Sequence, residues 1–163
     1  MKTVAVYPGS FDPPTFGHLD IIERGSRVFS KVIVSVAFNI RKKTMFTPEE
    51  RVEMLRAMTA PLDNVEVDAF DGLLADYAVA KEANVVLRGL RAVSDFEFEF
   101  QMAHVNRKLA PKLDTVIMMT GDKHIYISSS IVKEVARLHG KIDDMVPALV
   151  RDRIAAKIRQ EQS

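Results

Sequence analysis

The stretch TVAVYPGSFDPPTFGH, residues 3–18, decides the fold class because it passes from a strand pattern through a stiff loop into a helix start. The run TVAVY is apolar without polar alternation, which is typical of a strand covered on both faces. In the loop, Gly9 permits close backbone approach, and two prolines restrict the turn. His18 falls in the first turn of the helix, where free backbone N–H groups favour an anion. The stretch therefore predicts a site that holds a phosphoryl group against an imidazole donor.

Farther along the chain, four more apolar runs repeat the strand pattern, and helical patterns lie between them. These runs are KVIVSVAF (31–38), NVEVDAF (64–70), NVVLRG (84–89) and DTVIMM (114–119). The alternation predicts an α/β fold with a Rossmann-like, five-stranded parallel sheet and helices on both faces. The 163 residues are 47% hydrophobic, which fits a single domain over residues 1–163. An amphipathic pattern predicts a closing helix at about 147–160.

Several residues mark helix ends. Thr47 with Glu50 forms a predicted capping box, and Ser94 with Glu97 forms a second one. Gly140, after VKEVARLH, predicts a helix stop.

The segment DFEFEFQ, residues 95–101, alternates phenylalanine with acid and resembles a strand, but the capping pattern and the following MAHVNRKL favour a helix. On that helix Glu99 and Asn106 share a narrow polar strip between two apolar sides. We expect one apolar side to cover the sheet and the other to form a subunit contact. The two sides consist of Phe98, Met102, Val105 and Leu109, and of Phe96, Phe100 and Ala103.

The composition excludes several classes of function. With 23 basic and 22 acidic residues, the chain lacks the charge excess expected of a nonspecific nucleic-acid binder. The absence of cysteine excludes disulfides, thiolate metal sites and thiol nucleophiles. No apolar run is long enough for a membrane span, and the N-terminal run is too short for a signal peptide. We expect a soluble cytoplasmic protein without nucleic-acid or membrane partners.

Polar or cationic groups follow four of the five predicted strands. The first strand is followed by GSFDPPTFGH, the second by NIRKK, the fourth by RGLR and the fifth by TGDKHIYISSS. Ligands of open parallel sheets bind beyond the carboxyl ends of the strands, near the point where the strand order reverses. We therefore expect these groups to lie at one edge of the sheet.

Each of these groups also has an ordinary structural explanation. His18 alone is more often a surface histidine, Lys42 belongs to a basic run that is usually solvated, and ISSS (127–130) is a common N-cap. Arg88, at a strand end, either extends to solvent or meets a fixed anion. Their expected convergence favours the phosphate-binding interpretation, in which Lys42, Arg88 and the serine hydroxyls are ligands.

Missing motifs narrow the choice further. No GxGxxG follows the first strand and no GxxxxGK[ST] occurs, so dinucleotide-binding and P-loop sites are not predicted. HExxH is absent, and four scattered histidines predict no protein-built metal site. Magnesium is expected only as a companion of nucleotide phosphates.

The sequence resembles the bacterial phosphopantetheine adenylyltransferase family of the nucleotidyltransferase superfamily, essentially over its full length. TFGH and ISSS match the superfamily signatures, and RGLR followed by DFEFE and MAHVN is specific to the family. The resemblance implies reversible adenylyl transfer from ATP to 4′-phosphopantetheine, which yields dephospho-coenzyme A and pyrophosphate in coenzyme A biosynthesis. It also implies a homohexamer, Mg²⁺ carried with ATP, and coenzyme A as an inhibitor.

By the same resemblance, His18, Lys42 and Arg91 are catalytic, and His18 stabilises the pentacovalent α-phosphate. The implied ATP-binding residues are Ser10, Phe11, His18, Gly89, Leu90, Arg91, Glu99, His124, Ile125, Tyr126, Ile127, Ser128, Ser129 and Ser130. The implied phosphopantetheine-binding residues are Ser10, Lys42, Leu74, Arg88 and Asn106. Ser10 replaces a frequent threonine and keeps the hydroxyl, whereas Ile125 removes a hydroxyl that the family commonly has.

Two other functions remain open at this stage. One is a sister enzyme that uses nicotinamide mononucleotide, or a cytidylyltransferase for an alcohol phosphate. The other is a noncatalytic nucleotide sensor, for which a broken catalytic position is expected; His18, Lys42 and Arg91 are all present. A structural or nucleic-acid-binding module fits the neutral charge balance least.

Overall fold

The computed structural model describes residues 2–38 and 43–162, which form a five-stranded, all-parallel sheet. The strands are β1 (Val4–Gly9), β2 (Lys31–Ala37), β3 (Val65–Phe70), β4 (Val85–Leu90) and β5 (Asp114–Met119). Their spatial order is β3-β2-β1-β4-β5, so the order reverses between β1 and β4. The predicted α/β fold is confirmed, and the reversal places the expected ligand-binding edge at the ends of β1 and β4.

The helices connect these strands and cover both faces of the sheet. They are α1 (Phe16–Val28), α2 (Pro48–Thr59), α3 (Leu74–Ala80), α4 (Val93–Leu109), α5 (Ser129–Arg137) and α6 (Ala148–Glu161). A 3-10 turn, Asp122–His124, precedes α5. None of the helices in the described part of the chain has the length and apolar character needed to cross a membrane.

The core has one layer on each side of the sheet and a further cluster among α2, α5 and α6. Ala5 and Leu87 pack with Ile22 of α1 on one side, whereas Val6 and Val86 pack with Ala78 of α3 on the other. Neighbouring strand residues therefore point to opposite faces, and both faces are buried. This explains why β1 and β2 lack polar alternation in the sequence.

Two of the predicted helix ends need correction, whereas the Thr47 and Glu50 capping box is present as predicted. The Ser94 capping box is wrong, because α4 already begins at Val93 and its N-cap is Ala92 in extended conformation. Ser94 therefore lies inside the first turn, beyond the capping position.

The helix stop near Gly140 is present, but the left-handed residue is His139 (φ 60°). Gly140 N donates to Val135 O at 2.8 Å. A Cβ at residue 140 would lie 2.6 Å from Val135 Cγ1, so glycine is required here for close approach to α5.

Helix α4 is polar on its buried side. Only Glu99 and Asn106 of this helix are buried, while the phenylalanines of both predicted apolar sides are between 45 and 61% exposed. The prediction that one apolar side covers the sheet is therefore wrong. The narrow polar strip faces the body of the protein, because Glu99 pairs with a strand residue there.

Candidate functional site

Two adjoining cavities open at the edge of the sheet where β1 and β4 end. The first has a volume of about 480 Å³ and the second of about 850 Å³. Both are lined by Pro8, Gly9, Ser10, Arg88, Phe98 and Glu99. The shared wall means that ligands in the two cavities would meet beside Ser10 and Arg88.

The loop after β1 is anchored by the buried carboxylate of Asp12. Its Oδ1 accepts the backbone N–H of Phe46 at 2.9 Å, and its Oδ2 accepts that of Met45 at 2.9 Å. Lys133 of α5 lies 3.1 Å from Oδ2. A single side chain thus connects the loop, the segment before α2 and helix α5.

The backbone of the same loop is held by two further side chains. Arg51 of α2, which is buried, donates from Nη1 to Ser10 O at 2.8 Å. Ser129 donates from Oγ to Pro13 O at 2.7 Å. Phe11 adopts a positive φ of 48°, and its buried ring packs edge-on against His18 with 4.9 Å between ring centroids. These contacts fix the position of the loop relative to α1 and α5.

His18 completes the N-terminal capping box of α1, the helix in which it lies. Its Nδ1 accepts the backbone N–H of Thr15 at 3.0 Å, and the Thr15 hydroxyl accepts the backbone N–H of His18 at 3.4 Å. Because Nδ1 serves as an acceptor, the neutral ring carries its proton on Nε2. His18 lines the first cavity, where Nε2–H is the remaining donor of the ring.

The charge state of His18 follows from its surroundings. Burial, together with the cations Arg91 and Arg88, lowers the pKa of His18 from 6.5 to about 4. The imidazole is therefore neutral at pH 7 in the ligand-free protein. It can act as a hydrogen-bond donor without contributing a full positive charge.

Arg88 meets a fixed anion, as expected, but this anion belongs to the protein. Its Nε donates to Glu99 Oε2 at 2.8 Å, and its Nη2 donates to Glu99 Oε1 at 2.6 Å. Nη1 donates to Pro8 O at 2.7 Å. The guanidinium is thus held by a bidentate ion pair and by the backbone of β1.

Arg91, which follows β4, lines the first cavity together with the serine cluster, which consists of Ser128, Ser129 and Ser130. It is exposed and donates from Nη1 to Ile127 O at 2.8 Å. Ser128 is the N-cap of α5, and its hydroxyl accepts the backbone N–H of Ile131 at 3.1 Å. Hydroxyls, a guanidinium and a helix start are therefore combined in one wall, a combination that suits an anion.

The structure brings most of the implied ATP-binding residues to the first cavity. Those that line it are Ser10, Phe11, His18, Gly89, Arg91, Glu99, Ile127, Ser128, Ser129 and Ser130. Leu90, His124, Ile125 and Tyr126 are not part of its lining. Leu90 is buried, and Ile125 and Tyr126 are about half exposed.

His124 and Tyr126 make contacts of their own. The His124 ring stacks on Phe16 with 6.1 Å between centroids, and its buried Nδ1 has no hydrogen-bond partner among the described residues. Tyr126 Oη lies 3.1 Å from Asp144 Oδ2.

The second cavity contains the described part of the implied acceptor set. Ser10, Leu74, Arg88 and Asn106 line it, whereas Lys42 lies outside the described residues. Its remaining wall is largely apolar and includes Phe38, Phe70, Leu73, Met102, Val105 and Leu109. A long, partly apolar ligand with one anionic end fits this lining.

Sequence reasoning missed the residues that hold the site together. Asp12 is part of the quoted loop but received no role, and Arg51, Thr15 and Lys133 were not singled out. The available signal was an acid inside a Pro-rich turn, which has to find partners if it is buried.

Residues 2–38 and 43–162 contain no group of three His, Cys, Asp or Glu side chains that could hold a metal ion.

The family model and the curated relatives that match this chain agree with each other. A cytidylyltransferase-like family model matches residues 6–135. The chain is 50% identical over 157 residues to the phosphopantetheine adenylyltransferase of Caldanaerobacter subterraneus subsp. tengcongensis, covering 96% of this chain and 98% of that protein. It is 55% identical over 157 residues to the protein of that name from Natranaerobius thermophilus, with 96% of each chain covered.

A solved structure supports the fold alone. The Plasmodium falciparum nicotinic acid mononucleotide adenylyltransferase complexed with NaAD superposes with a TM-score of 0.65 at 14% identity, covering 96% of both chains. The two proteins therefore share the same fold. Given at least 50% identity to these relatives over nearly their whole length, the chain belongs to the phosphopantetheine adenylyltransferase family.

Proposed function

We propose that the protein transfers the adenylyl group of ATP reversibly to 4′-phosphopantetheine, giving dephospho-coenzyme A and pyrophosphate in coenzyme A biosynthesis. The single observation that carries this proposal is the pair of adjoining cavities that share Ser10 and Arg88. A two-substrate transfer requires two binding spaces whose reactive ends meet. Membership of the phosphopantetheine adenylyltransferase family supports the same reaction.

The first cavity is assigned to ATP. Arg91, the serine cluster at the start of α5 and the loop after β1 provide cationic and N–H or O–H donors for phosphates. His18 faces this cavity with one free ring donor. We assign the α-phosphate to the space beside His18, because this residue lines the first cavity and packs against Phe11, the neighbour of the shared-wall residue Ser10.

The second cavity is assigned to phosphopantetheine. Its apolar wall, including Leu74 and Phe70, suits the pantetheine arm, and Asn106 offers an amide to its polar groups. Arg88 supplies the cation at the end shared with the ATP cavity. We add Lys42 as a second phosphate ligand on the basis of the family resemblance.

The chemistry requires charge stabilisation and no general base. A phosphate monoester has a second pKa near 6, so the acceptor is mostly dianionic at pH 7. Its oxygen attacks the α-phosphorus, a new P–O bond forms, and the bond to pyrophosphate breaks. Arg88, Arg91 and Lys42 offset the repulsion between the two polyanions, and His18 Nε2–H donates to the charge that grows on the α-phosphate.

The proposal extends to the metal, an inhibitor and the assembly of the enzyme. We infer that Mg²⁺ arrives with ATP as part of the substrate, bound to phosphates and water. We also infer that coenzyme A, which resembles the product, inhibits by occupying both cavities. The exposed apolar side chains of α4 support a homo-oligomer, for which we propose a hexamer located in the cytoplasm.

The test is direct product detection. The protein is incubated with ATP, Mg²⁺ and 4′-phosphopantetheine, and dephospho-coenzyme A is measured by mass spectrometry. Parallel reactions with CTP, and with nicotinamide mononucleotide or an alcohol phosphate as acceptor, are scored by pyrophosphate release. Turnover with one of those pairs alone would support the sister enzyme. Nucleotide binding without any turnover would support the sensor.

A further inference from the structure

Glu99 occupies an unusual place in the site, because it is one of the two buried residues of α4 and belongs to both cavity walls. The family resemblance makes Glu99 a ligand of ATP. In the structure, however, each of its carboxylate oxygens accepts a hydrogen bond from Arg88, at 2.6 and 2.8 Å. The side chain of Glu99 is only 9% exposed, so little of it is accessible to a ligand.

The Arg88 guanidinium has five N–H donors, and the structure accounts for three of them. Nε and Nη2 donate to Glu99, and Nη1 donates to Pro8 O at 2.7 Å. One N–H on each of Nη1 and Nη2 has no partner among the described residues. Because Arg88 lines both cavities, these two donors are available to a phosphate placed at the shared wall.

We propose that Glu99 is a positioning residue for the acceptor substrate, which acts by holding the Arg88 guanidinium in the orientation that binds the phosphate of phosphopantetheine. This inference rests on the proposed function, since it assigns a phosphate-bearing acceptor to the second cavity. It differs from the implied role of Glu99, because the contact that matters is with Arg88 and not with ATP.

The physical reason is pre-organisation. An arginine side chain has many rotamers, and a phosphate that had to order it would bind more weakly by the entropy lost. Two parallel hydrogen bonds to Glu99 and a third to Pro8 O already fix the plane of the Arg88 guanidinium. The carboxylate also compensates the cation in a partly buried place until the acceptor arrives.

The charge of Glu99 also acts on the acceptor phosphate, in the direction opposite to that of the positioning role. This opposition makes the inference testable. The negative charge of Glu99 repels an incoming phosphate, so its removal strengthens acceptor binding if Glu99 is only a competing anion. If Glu99 orients Arg88, its removal weakens acceptor binding instead. The direction of the change therefore separates the two roles.

The experiment compares Glu99→Gln with Glu97→Gln. Glutamine preserves the size of the side chain but removes its charge and one of its two acceptors for Arg88. Glu97 lies on the same helix, is exposed and provides a matched loss of charge. Binding of 4′-phosphopantetheine alone and of a nonhydrolysable ATP analogue alone is measured by titration calorimetry, and steady-state kinetics give KM for both substrates.

We expect Glu99→Gln to weaken 4′-phosphopantetheine binding about tenfold or more, with ATP affinity changed less than about twofold. Glu97→Gln should leave both affinities unchanged. In an Arg88→Lys background, where the bidentate pair is already lost, Glu99→Gln should have little further effect on acceptor binding. This non-additivity is not expected of a residue that only stabilises the fold.

Several results would overturn the inference. These are loss of ATP affinity with acceptor binding retained, tighter acceptor binding, and equal loss of both affinities together with a lower Tm. If the wild-type protein forms no dephospho-coenzyme A, the proposed function fails. If the wild type is active and Glu99→Gln binds the acceptor normally, only the role of Glu99 fails.

Discussion

The imidazole of His18 lies with Nδ1 3.0 Å from the backbone N of Thr15, and thereby completes the capping box of its own helix. Glutamate or glutamine usually occupies this third helical position in a capping box. Histidine uses one ring nitrogen for the cap and leaves the other for the cavity. The contact therefore fixes the tautomer and the direction of the donor before any substrate binds.

The first prediction concerns turnover. His18→Ala should lower kcat about a hundredfold or more and change the KM for ATP only slightly, because the donor is needed mainly where charge grows in the transition state. The measurement is steady-state kinetics at pH 7 with both substrates. His104→Ala, which removes an exposed histidine of α4, is the control and should keep full activity. Equal losses in kcat and in ATP affinity would reduce His18 to a binding residue.

The second prediction concerns stability against pH. The pKa of His18 is about 4 in the folded protein, and its ordinary value is 6.5. Between these values the unfolded chain binds more protons than the folded one, so stability falls as the pH is lowered through this window. At pH 4.5 the loss from this residue is on the order of 2 kcal/mol relative to pH 7.

The matched variant for this measurement is His18→Gln, because glutamine can still cap Thr15 but does not titrate. Urea unfolding at pH 7 and pH 4.5 gives the free energy of unfolding for both proteins. The wild type should lose more stability on acidification than the variant. The same pH dependence in both proteins would contradict the lowered pKa.

The third prediction concerns the anchor of the loop. Asp12→Asn removes the charge partner of Lys133 and places an amide donor against a backbone N–H, of either Met45 or Phe46. We expect a loss of about 2–4 kcal/mol in the free energy of unfolding, measured with urea. Asp63→Asn, an exchange at an exposed position in a turn, should change stability by less than about 0.5 kcal/mol. A near-neutral Asp12→Asn would show that the anchor is dispensable.

The fourth prediction separates neighbouring lysines after β2. Lys42→Ala should raise the KM for phosphopantetheine about tenfold or more, because a charge-assisted contact to its phosphate is lost. Lys43→Ala removes the same charge from an exposed position and should change little. Both variants are compared in the dephospho-coenzyme A assay. Identical kinetics of the two variants would argue against a specific role for Lys42.

The fifth prediction concerns assembly. Five large apolar side chains of α4, from Phe96 to Leu109, are about half exposed or more in the single chain. We expect a stable oligomer in sedimentation velocity at micromolar protein, and a weaker one for Phe98→Ser. Lys108→Ser, at an exposed polar position of the same helix, is the control and should leave the assembly unchanged. A wild-type monomer at this concentration would refute the assignment of α4 to a subunit contact.

The sheet was predictable from sequence for a physical reason. Strands buried on both faces require continuous apolar runs, and β1 and β2 satisfy this requirement almost residue by residue. The ends of such strands can then be placed at one edge by the fold class alone. That argument brought Ser10, Arg88 and the serine cluster of residues 128–130 to the same pair of cavities.

The other features of the site were not predictable from sequence, because they depend on contacts between residues that are far apart in the chain. Helical periodicity shows that Glu99 and Asn106 share a side, but the inward direction of that side is set by Arg88 on β4. Likewise, the partners of Asp12 lie 33, 34 and 121 residues away in sequence. No local pattern encodes such pairs, so the polar face of α4 and the loop anchor appeared only in the folded chain.

Pro8, Gly9, Ser10 and Arg88 belong to the walls of both cavities. When the two substrates are joined there, the adenylyl and pantetheine parts become one molecule that spans both spaces. Each end then keeps the other near its place at a high effective concentration, so the joined molecule leaves less readily than either part. At saturating substrate concentration, we therefore expect release of the joined product, and not formation of the P–O bond, to limit the rate of turnover.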